Sequence, residues 1–174
     1  LKGKVKVHGE SVNTIEALKA LGEPSLVIEP GRSLVGDSAV TLARVSQVRR
    51  IERWHNLLTL EMGVTSFGAA LVYMPVHHWE IINDYDRRDS EPFEAFVAGN
   101  LCFSGDMLTK YKISLQRKPV RGDIVLIRDT GSYGPQFFAS NANAFPRPAR
   151  ILVDADGKLT VMKRRDAYEE IFSL

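Results

Sequence analysis

Between residues 38 and 163 the chain is punctuated throughout like a β protein, and no other feature constrains its fold as tightly. Residues 38–51 are rich in Val, Ala, Leu and Arg and partly alternate, as a long half-buried strand does. Short candidate strands follow at 57–62, 76–82, 92–98, 110–115, 123–127, 149–153 and 159–163. Turn chemistry separates them. Lys118-Pro119-Val120-Arg121-Gly122-Asp123 feeds one strand, and Asp154-Ala155-Asp156-Gly157-Lys158 closes a hairpin. Strands that succeed one another through short turns pair antiparallel, so this stretch predicts a β-barrel or sandwich. Residues 166–172 predict a short terminal helix.

The first 37 residues read differently. Asn13-Thr14-Ile15-Glu16 has the form of a capping box, Ile15, Leu18 and Leu21 make one apolar stripe, and Gly22 and Pro24 stop it. This predicts a helix over 13–21. Ser25-Leu26-Val27-Ile28 is a short apolar run of buried-strand type that ends in Glu29-Pro30-Gly31-Arg32. A helix leading to such a strand has the form of the last unit of an α/β barrel, where chemistry sits at the C-terminal strand ends. The expected fold is therefore mainly β with some α. Residues 1–37 would be the end of a TIM-like α/β barrel, and residues 38–174 a C-terminal antiparallel β-barrel or sandwich domain. Leu1 opens a Lys/Val-rich stretch with no initiator methionine, so the chain reads as a fragment or a processed piece.

Composition removes several functional classes. A chain of 174 residues is long enough for one domain with a proper core. Net charge is only +2, and the basic residues are scattered apart from Lys163-Arg164-Arg165, so no nucleic-acid footprint is present. Cys102 is the single cysteine, which rules out a disulfide framework within the chain and fits a reducing cytoplasm. No apolar run approaches the ~20 residues of a membrane span, and no signal peptide is visible.

Three motifs carry chemistry. A carboxylate at the end of a buried strand, as Glu29 would be, needs a partner, because an unpaired buried charge is costly. A pyridinium nitrogen is one such partner, and the carboxylate would keep that ring protonated. Gly31 allows close backbone approach to a phosphate, and Arg32 adds a fork of donors. Alone, the tetrapeptide fits a strand-ending turn with a surface ion pair better. In Leu101-Cys102-Phe103-Ser104-Gly105-Asp106 a thiol in a polar turn could deliver a proton to a carbanion, although most free cysteines are small buried hydrophobes. In Asp129-Thr130-Gly131-Ser132-Tyr133-Gly134 a Tyr in a glycine-flanked loop could set its hydroxyl on a phosphate, or simply pack.

Taken together, these motifs resemble the C-terminal portion of the fold-type III pyridoxal-phosphate-dependent decarboxylases, the family of diaminopimelate, ornithine and arginine decarboxylases. The matching stretches are EPGRS at 29–33, CFSGD at 102–106, GSYG at 131–134, and Ser140-Asn141-Ala142-Asn143-Ala144-Phe145-Pro146-Arg147-Pro148-Ala149. The diaminopimelate branch looks nearest. The resemblance implies a pyridoxal 5'-phosphate enzyme acting on an amino acid. Glu29 would pair with the pyridine nitrogen. Gly31, Arg32 and Tyr133 would bind the cofactor phosphate, with Arg32 and Tyr133 also near substrate. Cys102 would donate a proton across the interface of a homodimer with shared active sites. The cofactor-anchoring lysine would lie upstream in an N-terminal barrel absent from this chain, which would be catalytically incomplete alone. A non-enzymatic binding homologue and a related racemase are the rival readings. The joint retention of Glu29, Arg32, Cys102 and Tyr133 opposes the first. Glu29 opposes the second, because the alanine racemases place an Arg there.

Departures from the family concern the substrate. Diaminopimelate enzymes of this family carry an acidic residue after the cysteine to hold a distal amino group, and the ornithine branch an Asp; here Phe103 stands there. The Arg expected for a distal carboxylate is missing from residues 63–73. Both departures imply a substrate side chain without an anionic tip, and with Phe103 a neutral, apolar or aromatic one. Three other features are set aside. His77-His78 would face opposite ways in a strand and so make a poor metal pair. Arg121-Gly122-Asp123 is a turn. The loop opening at Asp154 lacks the spacing of a calcium loop.

Overall fold

A computed structural model describes residues 3–7, 9–22, 24–25, 27–51, 55–67, 76–133 and 141–172. They fall into two compact units, residues 1–30 and 31–174. Among the described residues no helix is long and apolar enough to cross a membrane.

In the first unit β1 (Lys4–Val7) and β2 (Glu10–Asn13) pair antiparallel, and α1 (Thr14–Ala20) follows directly. The capping box forms as the sequence implies. The Asn13 side chain accepts from the Glu16 amide at 2.8 Å, and the Glu16 carboxylate accepts from the Asn13 amide at 3.3 Å. Gly22, at φ +81°, ends the helix. Of the strand expected at 25–28, residues 25, 27 and 28 are described. The described residues there have no regular structure, and Val27 and Ile28 are 78% and 72% exposed. Among the described residues β1 and β2 bond only to each other, so the run has no ladder to join within its unit.

The second unit is built on six strands: β3 (Thr41–Ile51), β4 (His55–Leu60), β5 (Trp79–Ile81), β6 (Phe93–Ala98), β7 (Ile113–Leu115) and β8 (Ile124–Ile127). Their order is β5-β8-β3-β4-β6-β7, antiparallel except for β4 beside β6. The two edges nearly close the sheet. Just past β7 the Gln116 side-chain amide donates to the Ile81 carbonyl at 2.6 Å and accepts from the Ile81 amide at 3.2 Å, standing in for a peptide against β5. Alternate residues fill the interior, in the order Ala43 and Val45, Leu58 and Leu60, Trp79 and Ile81, Ala95 and Val97, Ile113 and Leu115, Val125 and Ile127. This is the period of two that the sequence showed. Each such aliphatic side chain stabilises the fold by about 1.5–3 kcal/mol.

One end of this barrel is shut by a buried ion pair. Arg117, 1% exposed, donates twice to Asp123, 3% exposed, at 2.7 and 3.1 Å. Asp123 also accepts from the Asn83 amide group and the Val120 amide, while Arg117 donates to the Asn83 carbonyl. The turn expected at 118–123 is present, with Gly122 at φ +95°.

Beyond the barrel, β9 (Arg150–Val153) and β10 (Leu159–Lys163) form a hairpin, followed by α3 (Tyr168–Phe172). Asp166 ties the preceding tail to it. Its carboxylate accepts from the Asn141 side chain and from the amide and guanidinium of Arg147, and pairs with Lys163. The Arg147 guanidinium, first among these donors, holds the carboxyl far below the usual range.

Candidate functional site

Strand direction decides which loops share an end. β4, β6 and β8 run one way, and β3, β5 and β7 the other. The end opposite the Arg117–Asp123 pair therefore gathers the segment leading into β3, with Arg32, and the residues before β5, with His77. It also gathers the loops after β4, β6 and β8, the last two carrying Cys102 and Tyr133.

On the β3–β8 side two predicted stretches are locked together. α2 (Arg32–Val35) runs into a 3-10 turn at Gly36–Ser38. The loop after β8 docks on it: the Thr130 amide donates to the Ala39 carbonyl, the Gly131 amide to the Gly36 carbonyl, both at 2.9 Å, and the Thr41 and Thr130 hydroxyls bond at 2.9 Å. Gly131 is required by this approach. A Cβ there would run into the Val35 carbonyl oxygen and lie 2.5 Å from Ser38 Oγ. Replacing Gly131 by alanine is expected to destabilise the unit by about 1–3 kcal/mol through overpacking; a thermal melt like that of the parent chain would contradict it. Two residues on, Tyr133 is turned outward at φ +53° and is 39% exposed. Between them Ser132 Oγ is buried, and the described residues offer it no hydrogen-bond partner. Gly31 precedes α2, with its carbonyl accepting from the Leu34 amide. Glu29 belongs to the other unit and is exposed within the described residues.

On the β4–β6 side the loop bearing Cys102 is organised by a residue to which the sequence reading gave no role. Asp106, 4% exposed, accepts from the Val64 amide at 2.6 Å and the Leu101 amide at 2.7 Å. A Cβ on Gly99 would overlap its carboxylate, and one on Gly63 would sit 2.5 Å from Leu101. Within the loop the Asp106 amide donates to the Phe103 carbonyl, and the Phe103 amide to the Leu101 carbonyl. Phe103 lays its ring over Gly105, where any Cβ would clash with it, yet remains 53% exposed. Cys102 is exposed, a free thiol on the rim rather than core packing.

At the start of β5 the two histidines do face opposite ways, His77 buried and His78 exposed. His78 and Arg128 both pair with Glu80, whose carboxyl is held below its usual range, first by the Arg128 guanidinium. His77 packs against the Phe67 ring, and its Nδ1 lies 2.8 Å from the Arg128 carbonyl oxygen. Burial pushes its pKa down, partly opposed by that hydrogen bond, and the nearby Arg32 charge pushes the same way as burial. Among the described residues no group of acidic, His or Cys side chains is placed to hold a metal.

A phosphate-bearing group fits this mouth. Arg32 supplies a cation, and Ser132 Oγ is a buried hydroxyl to which the described residues give no partner. Comparisons with known proteins give the family. The family described as "Pyridoxal-dependent decarboxylase, C-terminal sheet domain" matches residues 33–131, more than half of the chain, and the chain belongs to that family. Its relatives include the diaminopimelate decarboxylases of Neisseria meningitidis, 31% identical over 93% of this chain and 38% of theirs, and of Buchnera aphidicola, 32% identical over 90% and 39%. Among solved structures, a diaminopimelate decarboxylase from M. jannaschii in complex with L-lysine is 27% identical with a TM-score of 0.72, covering 90% of this chain and 35% of that one. A lysine/ornithine decarboxylase from Vibrio vulnificus in complex with cadaverine is 25% identical with a TM-score of 0.57, over 68% and 31%. The chain thus spans well under half the length of the relatives it matches.

Proposed function

We propose that the protein carrying this chain decarboxylates an amino acid with pyridoxal 5'-phosphate, and that the chain supplies the C-terminal part of the active site. The observation that carries this reading is the docking of the Gly131–Tyr133 loop on the Arg32 segment at the barrel mouth that also bears Cys102. Bound there, the cofactor would supply an electron sink for the pair of electrons left when CO2 departs. Arg32 and Tyr133, with Gly31 permitting backbone approach, would hold its phosphate, and Glu29 would meet the ring nitrogen. Arg32 and Tyr133 would also border the substrate. Cys102, exposed on the rim, would return a proton to the substrate carbon of a second subunit's site, which makes the active form a homodimer. Such an enzyme would act in the cytoplasm.

Phe103 sets the substrate's distal end in this reading. A ring beside the reaction site offers no counter-charge, and a charged tip left unpaired there costs binding. Side chains with neutral, apolar or aromatic tips are therefore favoured over diaminopimelate, whose name the relatives carry. CO2 release from a panel of amino acids by the intact protein, with added pyridoxal phosphate, tests both levels. No release from any of them contradicts the reaction. Efficient release from meso-diaminopimelate contradicts only the specificity. Phe103→Glu is expected to raise kcat/KM for amine-tipped substrates, relative to apolar ones, by about tenfold or more.

A further inference from the structure

We propose that His77 is a positioning residue for the cofactor-side loop, fixing through its Nδ1–H the strand exit that carries Thr130, Gly131, Ser132 and Tyr133. Its reach toward a cofactor rests on the function proposed above; its hold on the loop does not. Three observations converge. First, the ring's tautomer is determined. A carbonyl oxygen can only accept, and Nδ1 lies 2.8 Å from that of Arg128, so Nδ1 carries the proton. Burial lowers its pKa and so favours the neutral ring, in which Nε2 is a bare lone pair, and the described residues give Nε2 no partner. Second, the rings packed on His77 do not call for a polar side chain, although the charges of Arg32 and Asp129 lie nearby. Phe67 packs on it with centroids 5.1 Å apart, and Phe67 in turn meets Trp79. A phenyl group would fill the same space without a stranded nitrogen. Among the described residues, the bond that repays the imidazole is the one to Arg128.

Third, that carbonyl stands where the backbone leaves its ladder. The Arg128 amide still pairs with the His78 carbonyl, whereas Asp129 is left-handed at φ +60° and Thr130 already bonds to Ala39. A chain that swings from one partner to another within two residues depends on the carbonyl at the pivot being held. From that pivot the loop docks on residues 35–41 with almost no clearance at Gly131, so a shift there alters the spacing between Arg32 and Tyr133.

The test separates a donor from mere packing, because the two rank substitutions oppositely. In His77→Phe the packing is retained and the donor lost. In His77→Asn the side-chain amide nitrogen takes the place of Nδ1, but volume is lost. Amide hydrogen exchange by NMR on the chain, or on the full protein, reads the Thr130 and Gly131 amides directly. His77→Phe is expected to speed their exchange about tenfold while Val125 and Ile127 keep their protection. His77→Asn is expected to return them to within about threefold of the parent despite a lower melting temperature. If exchange instead follows melting temperature, with Asn the worse of the two, or if His77→Phe exchanges like the parent, the proposal is overturned. Affinity for pyridoxal phosphate, measured on the same variants in the full protein, should follow the same donor ranking. If the parent binds no pyridoxal phosphate yet exchange still ranks by donor, the positioning role stands and the decarboxylase reading fails.

Discussion

Asp123→Ala should cost the barrel about 3–5 kcal/mol and lower its melting temperature by on the order of 10 °C. The reason is what the substitution leaves behind. Arg117 is 1% exposed and cannot give up its proton, so without Asp123 a guanidinium remains buried with no carboxylate bonded to it, only the more distant charges of Asp84 and Asp89. The Val120 amide and the Asn83 side chain lose an acceptor as well. Replacing both partners, as Arg117→Met with Asp123→Leu, removes the stranded charge and should be markedly milder than Asp123→Ala alone. A single variant as stable as the parent would show that the pair does not close the barrel end. The pair also fixes the sign of a pH effect. Burial opposes ionisation of Asp123, but the bonds from Arg117, Val120 and Asn83 outweigh it and hold the carboxyl below its usual range. Its contribution is therefore complete above the unfolded carboxylate value of about 3.9. It is lost as pH falls through the lower folded value, and the double variant should lack that acid-sensitive component.

The barrel strands were legible because each turns alternate side chains inward, and that alternation survives in the sequence. Ala43 and Val45, Leu58 and Leu60, Val125 and Ile127 are all placed by the period of two. The helix at 14–20 was legible because its cap is local, four consecutive residues bonding among themselves. What was not legible was non-local. An apolar run such as 25–28 does not say in the sequence what it would pair with. α2 is only four residues long and has no period to detect. Closure through Gln116 is invisible because a side-chain amide that imitates a peptide leaves no pattern. Asp106 and Asp123 illustrate the same limit: each sits in a turn with a glycine beside it, where an Asp is ordinarily solvated. Burial is what turns them into the anchors of the Cys102 loop and the barrel floor. A signal existed for Asp106, since Gly63 and Gly99 lie close enough in the fold to be filled by Leu101 and by its own carboxylate, but it can be read only once the strands have been placed.

Cys102→Ala is expected to divide CO2 release from amine formation in the intact protein. If the thiol returns the proton, its loss would leave the departure of CO2 intact, because in the proposed function that step would depend on the electron sink and on Glu29 rather than on the rim of the barrel. The electrons would then take up a proton away from the substrate carbon. Water would release that carbon as a carbonyl product in place of amine, the nitrogen would stay with the cofactor, and activity should decay within a few turnovers. The amine yield per CO2 should fall by about 10²-fold or more, the range that one positioned proton donor contributes. Asp106 gives the control. Because it holds the Leu101 and Val64 amides, Asp106→Asn should disturb the whole loop, lowering amine formation and thermal stability together, whereas Cys102→Ala, at an exposed position, should leave the melting temperature close to that of the parent. Subunit mixing then tests the shared site. Cys102→Ala combined with a variant lacking the cofactor-anchoring lysine should recover part of the activity, because one of the two hybrid sites would have both groups. Amine as the sole product at the parent rate would leave Cys102 no part in the proton transfer.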